Sequence, residues 1–404
     1  MSRLMVIAKK VQNSAVRSIP KENIVPDKML QINRIQVNRI QVNRVQVNRV
    51  QALISFIKSV YNPGLHMAFA AGWFLALEGL LVLIEGRGES WVIDRKVFLG
   101  ILSIFLALFY LRVADEIKDY TYDKLYHPDR PLVRGAVTFR DLHVFLAVTG
   151  AVVILLNAFL SWLLAIVMGL DMAYALFLIH LEKMSSRVRD RIFLNLLVTY
   201  PVNIGISVYI YLFFLTRYKV NPGASGILLL AAFELAFLHY EIGRKTCWPH
   251  HAPEGMRLYS NVLGATGSAL LAFFCALTAC AITLCLAQPG ALSYSRALFH
   301  GWTLSHGRAL SHKMEGAALS VKGTTLPLEG AALSAPIAAA MGWLLLIPAI
   351  PAFWGTYRFF RAKTMQEIPN PAPLMTPSAM SFLSLFYLVS IVEVIISRTI
   401  SFCL

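Results

Sequence analysis

Long apolar stretches recur along the chain, and they limit its possible folds more than any other feature. Nine stretches qualify, at about 66–85, 97–114, 142–160, 163–181, 192–215, 226–242, 261–286, 336–356 and 379–397. Runs of roughly 18 or more apolar residues are long enough to cross the hydrocarbon core of a bilayer as helices. Barrel strands would be shorter and would alternate polar with apolar residues. Composition agrees: 57% of residues are hydrophobic and 15% charged, against about a quarter charged in a soluble chain. The spacing therefore predicts an all-α integral membrane protein with about nine transmembrane helices. The pair 142–160 and 163–181 is joined by a very short turn near Asn157–Trp162.

The net charge of +15 would suit nucleic acid if it were clustered, but it follows the loops. With an odd number of spans, loops on the N-terminal side carry fifteen Lys and Arg and short loops on the other side carry five. That asymmetry is the positive-inside pattern. It predicts a multi-pass protein with a cytoplasmic N-terminus, and the charge is assigned to membrane lipids rather than to nucleic acid. The 287–335 segment stays outside the count, because long loops translocate largely regardless of charge.

Two regions differ in kind from the spans. Residues 31–51 repeat QINRI, QVNRI or QVNRV every five residues, a period that lines up no face of a helix or strand. The reading is a basic, low-complexity cytoplasmic tail over 1–60, ahead of a membrane domain over 61–404. A flexible insertion at 287–335 interrupts that domain, and there EGAALS occurs twice. Its histidines, His300, His306 and His312, have no helical metal spacing. The five cysteines show no CxxC pair, and those of the seventh span read as small apolar filler.

The chemistry concentrates in VADEIKDYTYDKLYHPDRPLVRG, residues 113–135. Asp115, Asp119 and Asp123 stand at i, i+4 and i+8, which aligns them along one stripe of a helix, with Glu116 about 100° round. Like charges at that spacing repel, so the stripe calls for cations. Hard oxygen ligands suit Mg²⁺, which binds through one or two carboxylates together with substrate phosphates. Arg112, Lys118, Lys124, Arg130 and Arg134 surround the stripe and suit the remaining charge of a diphosphate. Solvated acids paired with Lys118 and Arg112 are the plainer alternative.

This stretch resembles the first aspartate-rich motif of the UbiA superfamily of intramembrane prenyltransferases. That motif reads Asn-Asp-x-x-Asp-x-x-x-Asp and is followed by an Arg-Pro loop that ends in a small residue. Asp115 stands at the Asn position, and Glu116, Asp119 and Asp123 stand at the three Asp positions. Arg130-Pro131 and Gly135 match the loop. The stretch follows the second of nine spans, as in the family, and the resemblance covers roughly 60–400. It implies a bundle around a central cavity, Mg²⁺, a prenyl diphosphate substrate and a lipophilic acceptor.

The family's second acidic motif follows the sixth span. Here that place reads HYEIGRKTCWPHHAPEG, 239–255, and only Glu241 matches an acid. Arg244 and Lys245 stand where further aspartates are expected, and they suit direct binding of diphosphate. Arg187, in the basic run after the fourth span, suits the same anion or a lipid headgroup. The resemblance thus implies a catalytic and metal set of Asp115, Glu116, Asp119, Asp123 and Glu241. The diphosphate set is Arg112, Lys118, Arg130, Arg134, Arg187, Arg244 and Lys245. Tyr174, Tyr200, Tyr209 and Tyr211 are candidates to face a carbocation. Glu78, Asp171, Glu234 and Glu393 lie within spans, where acids mark function by default. The expected reaction is transfer of an isoprenoid from its diphosphate to a lipophilic, aromatic acceptor. The alternative is a membrane terpene cyclase of the same superfamily, which needs no acceptor.

Overall fold

The computed structural model describes residues 49–85, 91–252, 256–287, 342–362 and 375–403. The QVNRI/V repeats before residue 49, the EGAALS insertion after residue 287 and its histidines lie outside these residues. Residues 1–55 and 56–404 form separate units, and the second contains the membrane bundle.

Twelve described helices of this unit run from α1 (Pro63–Ile84) and α2 (Arg95–Lys118) through a short α3 (Tyr120–Tyr126) to α4 (Phe139–Leu160) and α5 (Trp162–Met184). They continue with α6 (Ser186–Asp190), α7 (Ile192–Thr199), α8 (Pro201–Tyr218) and α9 (Ala224–Arg244). The last are α10 (Ser260–Ala287), α11 (Ala349–Arg361) and α12 (Thr376–Cys403). No strand occurs among the described residues. Eight of the described helical segments are long and apolar enough to cross a membrane, with α7 and α8 counted as one span over Ile192–Tyr218. The protein is an all-α, multi-pass membrane bundle.

Polar residues between the apolar runs set where the spans begin. Asn62 accepts from the Leu65 amide at 3.2 Å and Pro63 follows it as the first residue of α1. Proline costs nothing there, since its missing N–H would have no intrahelical partner. Asp94 caps α2 through the Lys96 and Val97 amides at 3.0 and 3.1 Å. Thr138 and Asp141 form a reciprocal capping box that starts α4. Ser161 alone separates α4 from α5 and caps α5 through the Leu163 amide, so the predicted turn is a single residue.

Two predicted spans carry irregularities. The fifth breaks at Tyr200–Pro201, where proline cannot donate to the preceding turn. A backbone group left free by such a break must find a partner inside the bundle, and the Tyr174 hydroxyl donates to the Val198 carbonyl at 2.7 Å. The predicted span 336–356 is described only from residue 342. There a 3-10 turn, Trp343–Leu346, precedes α11, whose 13 residues fall short of the roughly 20 a crossing needs.

Helix α1 packs on α2, α8, α9 and α12, and α9 packs most extensively on α10. The inner position of α1 follows from its sequence, which buries Trp73, Phe74, Leu77 and Leu80 along with small residues such as Ala76. Of the seventh span's cysteines, Cys275 and Cys280 are buried free thiols, in keeping with their reading as filler, whereas Cys285 is exposed.

Candidate functional site

The acid-rich stretch falls where α2 leaves the apolar zone. Helix α2 ends at Lys118 and α3 starts at Tyr120, yet the hydrogen-bond ladder crosses the break. The Asp119 amide donates to the Asp115 carbonyl at 2.8 Å, and the Asp123 amide donates to the Asp119 carbonyl at 2.8 Å. The i, i+4, i+8 register of the three aspartates therefore survives.

Their surroundings are not alike. Asp115 lies 2.9 Å from the Lys118 ammonium with its side chain 44% exposed. Glu116 is buried, and one of its carboxylate oxygens is bonded by Arg112 at 2.6 Å and by Arg130. Its other oxygen, Oε2, is buried without a hydrogen bond. Asp123 is also buried, 3.7 Å from Arg130. Asp119 is half-buried. Burial pushes its carboxyl up to about 6, against the pull of Lys118 and with the push of Asp115, Glu182 and Asp123. The loop that brings Arg130 back onto α2 turns at Gly135, where φ is 75°, a conformation that favours glycine.

Two groups here were not singled out from sequence. Glu182, near the end of α5, lies 3.8 Å from Lys118 and accepts from Asn195 of α7 at 2.7 Å. An acid at a span's end beside the basic run 183–191 was its only signal. Arg257, which the sequence marked merely as one loop charge, donates to the Arg189 carbonyl at 2.6 Å and to Asp190 at 3.1 Å. Its guanidinium also lies over the Tyr122 ring of α3, 5.3 Å from the centroid.

The second polar group belongs to the same end of the bundle. Glu241, in the last turn of α9, is gripped by Arg244 at 2.6 Å and Lys245 at 2.7 Å. The Tyr259 hydroxyl donates at 3.5 Å to the oxygen that Lys245 also holds, and Lys245 lies over the Tyr259 ring at 5.7 Å. Burial raises the Tyr259 phenol, the negative charge of Glu241 adds to the rise, and the phenol stays protonated. The segment carrying Arg257 and Tyr259 joins the two groups. Arg134, Arg187 and Lys124 are exposed at this end.

Among the described residues, no three of His, Cys, Asp and Glu come together as a metal-holding group. Glu116 and Glu241 each turn toward two cations. The donors still suit a divalent cation shared with phosphate oxygens, which needs only one or two carboxylates. Asp119 and the free oxygen of Glu116 meet that condition, with Asp115 and Asp123 beside them in register.

All four candidate tyrosines have structural partners, with Tyr200 donating to the Glu234 backbone carbonyl. Tyr174 bonds the Val198 carbonyl, Tyr209 bonds Asn157 at 2.8 Å, and Tyr211 accepts from the Gly223 amide at 3.0 Å. Glu78 is likewise absorbed at the other end of the bundle by Trp91, by Tyr218 at 3.3 Å and by Arg217 at 3.9 Å. Asp171 packs against Gly205, where an added Cβ would meet its carboxylate oxygen at 2.3 Å.

No protein-family model matches the chain, and no curated protein matches it. Among solved structures there is a likeness to one of a digeranylgeranylglyceryl phosphate synthase in membranes, at 14% identity and a TM-score of 0.40. It covers 85% of this chain and 99% of that one.

Proposed function

We propose that the protein is a Mg²⁺-dependent intramembrane prenyltransferase that moves an isoprenoid chain from its diphosphate to a lipophilic, aromatic acceptor. The observation that carries this reading is the union, at one end of an apolar bundle, of the 115–123 acids with Arg112, Lys118 and Arg130. Such a mixed site suits a polyanion whose other end is hydrocarbon. We assign this end to the cytoplasmic face, on the excess of Lys and Arg in its loops.

Breaking the allylic C–O bond leaves negative charge on diphosphate, and preorganised cations lower that barrier most where water is scarce. Lys118 and Arg130 are already oriented by Asp115, Glu182, Glu116 and Asp123, so they need little reorganisation to face a phosphate. Arg244 and Lys245 supply charge from the α9 side, where further acids would have repelled it. A bound Mg²⁺ would offset charge on the departing diphosphate, held by Asp119 and Glu116 with help from Asp115 or Asp123.

The test is diphosphate release from proteoliposomes given geranyl, farnesyl or geranylgeranyl diphosphate with Mg²⁺, with and without a panel of phenols and quinone precursors. Acceptor-dependent release that disappears in Asp119→Ala and Asp123→Ala supports the reading. Release without acceptor, accompanied by a cyclic hydrocarbon, would replace it with the terpene cyclase. Undiminished release from both variants would remove the metal assignment.

A further inference from the structure

Glu234 lies seven residues before Glu241 on α9, roughly 10 Å deeper along the helix. Both of its carboxylate oxygens are buried and make no hydrogen bond. The Tyr200 and Ser207 hydroxyls lie beside this carboxylate. Tyr200 instead donates to the Glu234 backbone carbonyl, and the Ser207 oxygen is itself without a partner.

Two more polar groups nearby are in the same condition. The Tyr387 hydroxyl of α12 and the Trp73 indole nitrogen of α1 are buried and unbonded. Tyr387 stacks on Phe233 at 5.7 Å, and Trp73 stacks on Phe237 at 5.9 Å. Both phenylalanines lie within a turn of Glu234 on its own helix, so Tyr387 and Trp73 wall the place where Glu234 and Ser207 lie, and four helices contribute unpaired polar atoms to this aromatic-walled region. Buried polar groups are nearly always bonded, and an unpaired carboxylate inside a membrane is expensive. One such atom is a packing accident; three around one carboxylate describe the outline of a missing polar group.

We infer that this place binds the hydroxyl of a phenolic or alcoholic acceptor, and that Glu234 is the base that takes its proton. The inference rests on the prenyl-transfer reading. Trp73 and Tyr387 donate to the acceptor oxygen and the Glu234 carboxylate accepts from its O–H. The proton passes to Glu234, and the freed oxygen forms the bond to the allylic carbon. The C–O bond to diphosphate breaks, and its electron pair leaves on the diphosphate. Glu234 then returns the proton to water at the polar end. The depth of Glu234 below Glu241 separates acceptor from diphosphate along one helix.

The experiment compares wild type with Glu234→Gln and Tyr387→Phe in proteoliposomes, using farnesyl or geranylgeranyl diphosphate and alkylphenol or long-chain alcohol acceptors. Glu234→Gln is expected to lower ether formation by about 10²-fold or more. It should also abolish the acid limb of the kcat profile, while binding of labelled prenyl diphosphate stays as in wild type. Tyr387→Phe should raise the acceptor KM several-fold and leave the prenyl diphosphate KM unchanged. Wild-type rate and pH profile in Glu234→Gln overturns the inference alone, as does wild-type diphosphate release without any product from a hydroxyl acceptor. If Glu234→Gln fails to insert, an unaltered acceptor KM in Tyr387→Phe overturns it. A wild-type protein that neither binds prenyl diphosphate nor releases diphosphate overturns the transfer reading and this inference with it.

Discussion

Arg257, between α9 and α10, lies over the ring of Tyr122 in α3, 5.3 Å from its centroid. The two residues are far apart in sequence, and each belongs to one of the two polar groups. Arg257 also bonds the Arg189 carbonyl and Asp190 beyond α5, so one guanidinium ties three loops together. The electrostatics agree, since its pull holds down the Asp190 carboxyl after that of Arg189.

Arg257→Ala is therefore expected to loosen this end without unfolding the bundle. An exposed cation–π contact contributes about 0.5–1 kcal/mol and a surface ion pair about as much at most, so global stability should fall by roughly 1 kcal/mol. Amide exchange should rise in 119–126 and 186–190 and stay unchanged in α1. The KM for prenyl diphosphate should rise more than kcat falls, because the contact positions the loops and does not touch the reacting carbon.

Asp119 gives the site a pH dependence with a definite sign. Its folded pKa of about 6 lies above the ordinary aspartate value of 3.8. A ligand for Mg²⁺ must be the carboxylate, so the Mg²⁺ concentration for half-maximal activity should climb about tenfold per pH unit below 6 and level off above 7. Asp119→Asn should remove that slope. The same shift works oppositely on stability. A carboxyl with a raised folded pKa favours folding below its unfolded pKa, and this is lost as pH rises through 6. Melting curves without Mg²⁺ should thus favour Asp119→Asn at pH 8 and show little difference at pH 4.

How much of this was legible beforehand differs by element. Hydropathy found the eight spans because bilayer thickness sets one length scale, but the capping residues Asn62 and Asp94 that fix the starts of α1 and α2 were not read from it. The register of Asp115, Asp119 and Asp123 was likewise local and readable, since the helical ladder carries across the break. Their partners were not. Whether Glu116 faces a metal or two guanidiniums depends on where the 127–135 loop returns Arg130, which no spacing within α2 records. Nor did Trp73 and Tyr387 stand out, because an aromatic residue in a span reads the same packed or unpaired.

Close packing between α1 and α2 offers a test of the bundle itself. A Cβ added at Gly100 would lie 2.5 Å from the Phe74 ring. Phe74 is fully buried and packs edge-on against Phe213 at 5.0 Å, so it has nowhere to retreat. Gly100→Ala should destabilise by about 1–3 kcal/mol, the usual range for overpacking. A lower melting temperature in detergent is the readout, and Phe74→Leu in the same chain should recover part of the loss.

The buried acid at the opposite end should behave as structure, not as chemistry. Glu78 accepts from the Trp91 indole and from Tyr218, with Arg217 at 3.9 Å. Arg217 in turn bonds Asp94 and the Val92 carbonyl, each at 2.7 Å. The caps of α2, the end of α8 and the interior of α1 are thus joined through one cation. Asp94 reflects this: burial would raise its carboxyl, but the Val97 amide, Arg217 and the Lys96 amide outweigh that and hold it low. Removing the cation alone strands a buried charge, which typically costs about 3–5 kcal/mol. Neutralising the acid forfeits only hydrogen bonds of about 1 kcal/mol each. Arg217→Leu should therefore be the more damaging change, Glu78→Gln the milder, and Arg217→Leu with Glu78→Gln more stable than Arg217→Leu alone. Diphosphate release by Glu78→Gln should stay near wild type. Loss of release in a well-folded Glu78→Gln protein would instead move Glu78 from the scaffold into the chemistry.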